Sequence, residues 1–389
     1  MKKIVIALLV LYALYFAAGV AAIQFGAIER FYFFPYFAIK YKQDRSGYSA
    51  DGPVLLLRQG YGISKQIIPS KTGYRSVTDT LPPNQPALLT CYPTDSSFFH
   101  VSVRASPPTT EPDHYPAPEK MLVVSDIEGN FAGFRLLLTS AGVMDQQYAW
   151  RFGRGHLVLV GDFFDRGLNV TECLWLIYKL EQEAEQAGGK VHFILGNHEI
   201  MNLMGKLKYV RRKYLVNADS LGLPYESWYA ADTELGRWLR TKNVVEKIGS
   251  TLFLHGGLSP EVAAHRLSLT AINTLARRGL DRAPGSTPAK GSAEEAITSS
   301  QASPDWYRGL VQQTASDDDV GRILQQYQAT RMVVGHTPVD KITPLYGNRV
   351  VAIDLPHQQN TAQGYMQAVW IEGEAFYTLD NRGNRSPLF

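Results

Sequence analysis

Residues 156–167 read HLVLVGDFFDRG and residues 191–199 read VHFILGNHE. Each opens as a short apolar run, the pattern of a strand buried on both faces, and each then reaches a glycine followed by polar residues. Three further runs share this form. MLVVS at 121–125 ends at Asp126, TLFL at 251–254 ends at His255-Gly256-Gly257, and RMVVG at 331–335 ends at His336. Helical spacing separates several of them. Val170, Cys173, Leu174, Ile177 and Leu180 recur at i, i+3, i+4 and i+7, and Gly188-Gly189 stops that helix. Strands alternating with helices predict an α/β fold, and open α/β sheets bind their ligands beyond the carboxyl ends of the strands.

Taken singly, an Asp after a strand is a turn former or helix cap, and a His before Gly-Gly is a loop residue. The set says more. Asp126, Glu128, Asp162, Asn197, His255 and His336 are oxygen or nitrogen donors at or just past strand ends. Such donors suit hard or borderline divalent cations, and no thiolate accompanies them to select copper or an iron–sulfur cluster. Two metal ions about 3.5–4 Å apart, sharing a bridging carboxylate, form the kind of centre this set can ligate.

Working outward, the chain has 389 residues, 45% hydrophobic and 19% charged, which excludes wholesale disorder. With 39 Lys and Arg against 36 Asp and Glu, charge alone gives no reason to expect nucleic acid as a partner. Two cysteines, Cys91 and Cys173, exclude a disulfide scaffold, and Cys173 reads as a buried free thiol in a helix. Residues 1–30 read as a signal anchor or a signal peptide. Lys2 and Lys3 precede an uncharged apolar run from Ile4 to Gln24, and about 20 apolar residues span a bilayer. The positive-inside rule leaves the two lysines in the cytoplasm and puts the rest of the chain outside. The expected location is the periplasmic face of a bacterial inner membrane, or the periplasm itself if the segment is cleaved.

After an aromatic stretch from Phe31 to Tyr41, residues 45–105 read as a small β-rich unit. Residues 106–120 read as an extended Pro-rich linker, and 121–385 read as the domain that carries the donor set. Within it, 200–248 is a mostly helical insertion that would wall the pocket, with Tyr209, Tyr214, Tyr225, Trp228, Tyr229 and Trp238 available to stack on a phenol or a base. Residues 283–303, biased to Ala, Ser, Gly and Pro, read as a mobile loop.

The motifs Asp126-Ile127-Glu128-Gly129, Gly161-Asp162-Phe163-Phe164-Asp165-Arg166-Gly167, Gly196-Asn197-His198-Glu199, His255-Gly256-Gly257 and Gly335-His336-Thr337-Pro338 occur in this order. In that order they resemble the PPP-type metallophosphoesterases. GNHEIMNLMGKLKYV, GRWLRTKNVVEKIGSTLFLHGGLSP and PDWYRG look closer still to the Shewanella-like protein phosphatases, some of which prefer phosphotyrosine. The resemblance covers about Met121 to Asp380. It implies a metallophosphoesterase-type β-sandwich core flanked by helices, and two divalent ions, Mn first with Mg, Fe or Zn as alternatives. Asp126, Glu128 and Asp162 would hold one ion, and Asp162, Asn197, His255 and His336 the other. Two positions depart from the family pattern: Ser125 replaces a Gly and Glu128 replaces a His. The extra carboxylate predicts a weaker Lewis acid at the first ion and a tilt toward Mn or Mg over Zn.

The resemblance also implies a chemistry. A water bridging the two ions attacks phosphorus, and His198 protonates the leaving oxygen with Asp165 orienting it. Arg166 offers a fork to the phosphate, Arg308 is the expected second phosphate-binding arginine, and Arg237 stands behind it as a further substrate-binding candidate. Glu199, His156 and His192 read as structural, Asp354 and His357 as loop residues, and Tyr365 as a core strand residue. The function expected is a phosphomonoesterase acting on phosphorylated protein or a small phosphate ester. Two alternatives stand beside it: a hydrolase of nucleotides or dinucleoside polyphosphates, and a non-catalytic phosphate-binding protein.

Overall fold

The computed structural model describes residues 2–24, 30–34, 37–40, 44–82, 87–283 and 286–389. They fall into two units, Met1–Gly47 and Tyr48–Phe389.

In the first unit, Lys2–Gln24 is one helix of 23 residues. Among the described residues it is the one helix long and apolar enough to cross a membrane. Its apolar side chains are turned outward, Ile4 at 67% and Leu9 at 63% exposure, which suits an apolar surrounding. The aromatic stretch that follows contains an antiparallel hairpin, Arg30–Phe34 against Phe37–Lys40. Tyr15 donates its hydroxyl to the Tyr32 carbonyl at 2.7 Å.

The second unit is built on two six-stranded sheets. The first runs Lys190–Phe193, His156–Leu159, Lys120–Val124, Gln367–Glu372, Ala375–Asp380 and Arg385–Pro387, with the first three strands parallel. The second runs Thr343–Leu345, Val350–Ala352, Arg331–Val334, Thr251–Leu254, Val245–Ile248 and His114–Tyr115. Strand alternation divides the apolar runs between two cores. Met121, Val123, Val158, Phe253, Val333 and Val351 share one cluster, while Leu122, Val124, Leu157, Leu159 and Leu252 join the helix-side cluster. This is the expected sandwich with helices outside it. The helix Val170–Gln186 carries the predicted 3.6-residue stripe, and Cys173 is a buried free thiol within it.

Three sequence expectations are corrected. The β-rich segment is not a separate body but belongs to the catalytic unit. Its meander, Asp51–Arg58, Tyr61–Ser70 and Gly73–Leu81, docks through its first strand. Trp175 Nε1 donates to the Pro53 carbonyl at 2.8 Å, and Asn217 Nδ2 donates to Asp51 Oδ2 at 2.9 Å. The Pro-rich linker is a fixed strap, because His114–Tyr115 pairs with Val245–Ile248 and Glu111 accepts from Lys190 and Lys242. In the loop expected at 283–303, Ala293–Thr298 is a helix capped by Ser292, with Ala296 and Ile297 buried. Residues 284–285 lie outside the described set.

Candidate active site

The site forms where three strands of each sheet give out together: Lys120–Val124, His156–Leu159 and Lys190–Phe193 in the first, and Thr251–Leu254, Arg331–Val334 and Val350–Ala352 in the second. Beyond Val124 and Leu159 the two chains stay paired: Asp126 N donates to the Gly161 carbonyl at 3.0 Å, Glu128 N to Asp162 at 2.9 Å, and Gly129 N to Phe163 at 2.9 Å. Gly161, at φ +82°, lets the Gly196 loop close in, since a Cβ there would lie 2.7 Å from Gly196 Cα. Glu199 then ties the two loops together. Its buried carboxylate accepts from the backbone N–H of Asp162 (2.8 Å), Phe163 (2.7 Å), Phe164 (3.2 Å) and Gly196 (2.8 Å). Glu199 is therefore structural, as expected.

Six candidate residues stand in the left-handed region: Asp126 (φ 56°), Glu128 (50°), Asp162 (58°), Asp165 (68°), Arg166 (54°) and His336 (63°). Such conformations cost free energy in L-residues, and they cluster where surrounding structure holds side chains for function. Here they turn side chains from successive loops into one cleft of about 80 Å³, lined by Asp126, Asp162, Asn197, His198 and His336 together with Arg166 and Arg308.

His255 Nδ1 donates to the Val160 carbonyl at 2.7 Å, which leaves Nε2 facing Asp162 Oδ2 at 3.0 Å and Asn197 Oδ1 at 3.2 Å. A ligating imidazole held through its second nitrogen has this arrangement. Ligand atoms of Asp162, His255 and His336 lie within 4.8 Å of one another, as do those of Glu128, Asp162 and His198. His336 Nε2 is buried without a hydrogen-bond partner. Burial opposes charge on His336 and, with His255 beside it, brings it down to about 2, so the ring is neutral. Burial raises Asp354 to about 6 and Glu128 to about 8, and Asp162 adds to both. On His255 burial is outweighed by Asp162 and Asp126, which lift it to about 10. A neutral buried imidazole nitrogen among crowded carboxylates fits divalent cations.

His198 Nδ1 lies 2.6 Å from Asp165 Oδ2, and Asn202 Nδ2 donates to the same oxygen at 3.1 Å. Burial works against charge on His198, yet Asp162 and Asp165 prevail and raise it. The Tyr209 ring stands 5.1 Å from the His198 ring, and the Trp306 ring 5.4 Å from that of His336. Arg308 Nη1 donates to the His336 carbonyl at 2.9 Å. Arg166 forms an ion pair with Glu128, so the departing residue at 128 is engaged by the expected phosphate fork.

Some expectations fail here. Arg237 does not line the cleft and instead pairs at 2.5 Å with the buried Glu234. Of the six insertion aromatics only Tyr209 reaches the cleft. Tyr214, Tyr225, Trp228, Tyr229 and Trp238 are buried in the core. Asp354 lies in a loop, as expected, and that loop brings it to the cleft lining. Tyr365 is 44% exposed rather than in a core strand. His156 and His192 bond each other at 2.9 Å, His192 bonds Glu246 at 2.7 Å, and neither histidine lines the cleft.

Residues 119–340 match the model of the calcineurin-like phosphoesterases, and the chain belongs to that metallophosphoesterase family. Within it, relatives are Shewanella-like phosphatases. The chain is 27% identical to Shewanella-like protein phosphatase 2 of Arabidopsis thaliana, over 66% of this chain and 76% of that protein. It is 27% identical to Shewanella-like protein phosphatase 1 of Plasmodium berghei, over 60% of this chain and 66% of that one. Among solved structures it resembles the cold-active protein-tyrosine phosphatase of a psychrophilic Shewanella species. That likeness has a TM-score of 0.78 at 30% identity and covers 88% of this chain and all of that one. These likenesses support a phosphatase that hydrolyses phosphate esters.

Proposed function

We propose that this chain is a dinuclear metal-dependent phosphomonoesterase that dephosphorylates proteins, phosphotyrosine included. The single observation that carries the reading is the convergence of Asp162, His255 and the unpartnered His336 Nε2 on a cleft that also holds the His198–Asp165 pair. Support for the substrate comes from the name of the structural relative, a protein-tyrosine phosphatase. The residues that would hold one ion are Asp126, Glu128 and Asp162, and those for the other are Asp162, Asn197, His255 and His336. Glu128, an oxygen donor where the family has a His, tilts the first site toward Mn or Mg over Zn. When bound, such ions supply an activated water and neutralise charge on the phosphoryl group.

The protein's own side chains do the rest. His198 donates a proton to the leaving oxygen, and Asp165 holds the imidazole protonated and in register. Arg166 and Arg308 bind phosphoryl oxygens, with Arg308 fixed by its bond to the His336 carbonyl. The outward-facing apolar helix Lys2–Gln24 anchors the chain in the inner membrane, with the catalytic unit in the periplasm. Hydrolysis of an aryl phosphate by the detergent-solubilised full chain with Mn tests the reading, with Asp162→Asn alongside. Turnover abolished in that variant supports it, and a folded wild-type chain that turns over nothing with any divalent metal refutes it.

A further inference from the structure

The catalytic cleft, about 80 Å³, is small, and a second groove of about 250 Å³ adjoins it. The two share Arg166, Pro338 and Asp354. Glu128, Pro356, Gln358 and Gln359 line it as well, and Gln358 Nε2 donates to the Glu128 carbonyl at 3.4 Å. The Glu128 carboxylate is among the atoms within 4.8 Å of a His198 ring nitrogen. The groove therefore opens beside the group that meets the leaving oxygen. In a phosphoprotein the leaving oxygen belongs to the polypeptide, so the chain departs on this side.

The lining suits a peptide. Gln358 and Gln359 are exposed carboxamides, each able to donate to and accept from a peptide backbone. Among the described residues, the formal charges in its lining are the Glu128–Arg166 pair and Asp354. Among the described residues no Phe, Tyr or Trp lines it to stack a base, and the His357 ring in its lining is buried. The wall is also fixed to the catalytic loop. Asn130, the residue after Gly129, donates to the His357 carbonyl at 3.2 Å and to Thr361 Oγ1 at 2.8 Å, and His357 is buried. A recognition surface held this way keeps its register with the reacting group.

We propose that this groove is the subsite for the polypeptide flanking the phosphorylated residue, with Gln358 and Gln359 bonding its backbone. The inference rests on the phosphatase reading above. Its test compares kcat/KM for a phosphotyrosyl peptide of about ten residues with kcat/KM for para-nitrophenyl phosphate, using the full chain in detergent with Mn. The Gln358→Ala/Gln359→Ala double variant is expected to lower the peptide-to-aryl ratio at least about tenfold through KM, the scale of two lost hydrogen bonds. Gln359→Trp, which fills the groove, should lower it likewise. Ratios within about twofold of wild type in both variants, or equal losses on the two substrates, overturn the proposal. A wild-type chain that hydrolyses neither substrate refutes the phosphatase reading instead. Binding of a phosphonate-bearing peptide, measured by fluorescence anisotropy, then still decides the subsite: weakened in both variants if the groove holds peptide, unchanged if it does not.

Discussion

His198 Nδ1 lies 2.6 Å from Asp165 Oδ2, and its other nitrogen lies 3.8 Å from Asp162 Oδ2. One imidazole thus joins the carboxylate that orients it to the carboxylate at the centre of the donor set. His198→Ala should lower kcat on a phosphotyrosyl peptide by about 10²–10⁴, the span of general acid catalysis. The loss should shrink for aryl phosphates with more acidic leaving phenols, which need less help from a proton. Asp165→Asn should fall between wild type and His198→Ala. Rates across a series of graded phenols check this, and a loss independent of the leaving group would argue against the assigned role.

Arg308 reaches the cleft because its Nη1 is tied to the His336 carbonyl at 2.9 Å. Removing it should raise KM more than it lowers kcat. Arg308→Ala should weaken kcat/KM by about 10–100-fold, as for a charge-assisted bond. Arg308→Lys should recover only part, since an ammonium cannot reproduce the fork. Steady-state kinetics on both variants are the check, and full rescue by lysine would contradict the fork.

The docked meander also reaches the catalytic loop. Asp51 Oδ2 lies 3.3 Å from the buried Lys213 Nζ, which donates to the Leu168 carbonyl at 2.5 Å, just past the Asp165-Arg166-Gly167 turn. Tyr214, the next residue of the helix Arg212–Leu221, accepts from the Val170 N–H at 2.9 Å. Asp51→Ala should therefore destabilise the fold by about 3–5 kcal/mol, the usual loss when one partner of a buried ion pair goes. Chemical denaturation measures this; a change below about 1 kcal/mol would show that the pair carries little.

The catalytic frame was readable in the sequence because its residues sit at strand ends with glycines beside them. Asp126, Asp162, Asn197 and His336 needed only strand patterning to be placed on one edge. What could not be read depended on partners distant in the chain. Arg237 is the exception: its partner Glu234 lies only three residues away in the helix Glu234–Leu239, but nothing local shows that Glu234 is buried. The insertion aromatics looked like a pocket wall, yet the helix Val170–Gln186 and the docked meander leave them no outlet except at Tyr209. Asp354 was missed as a cleft residue because the strand before it, Val350–Ala352, is three residues long, too short to show a period. The Glu128–Arg166 pair joins residues 38 positions apart, and no local pattern announces it.

The strap gives a pH signature away from the site. Burial opposes charge on Glu111, but Lys242 and Lys190 bring its carboxyl from 4.5 down to about 2. A carboxyl lowered in the folded state stabilises fully above its unfolded value and loses that contribution as pH falls toward the folded one. Glu111→Gln should thus cost about 3 kcal/mol near neutral pH. The gap in melting temperature between variant and wild type should hold steady above about pH 5 and close between about pH 4.5 and 2. A gap unchanged down to pH 2 would contradict the ion-pair account.

The most direct test of the central claim is turnover of a phosphotyrosyl peptide by the full chain before chelation, after it, and after graded return of Mn. The account predicts that chelation abolishes turnover and that activity returns in proportion to bound Mn, reaching its limit near two ions per chain. His336→Ala should bind fewer ions and stay inactive. Turnover that survives chelation, or a metal-loaded folded chain that leaves the peptide intact, would contradict it.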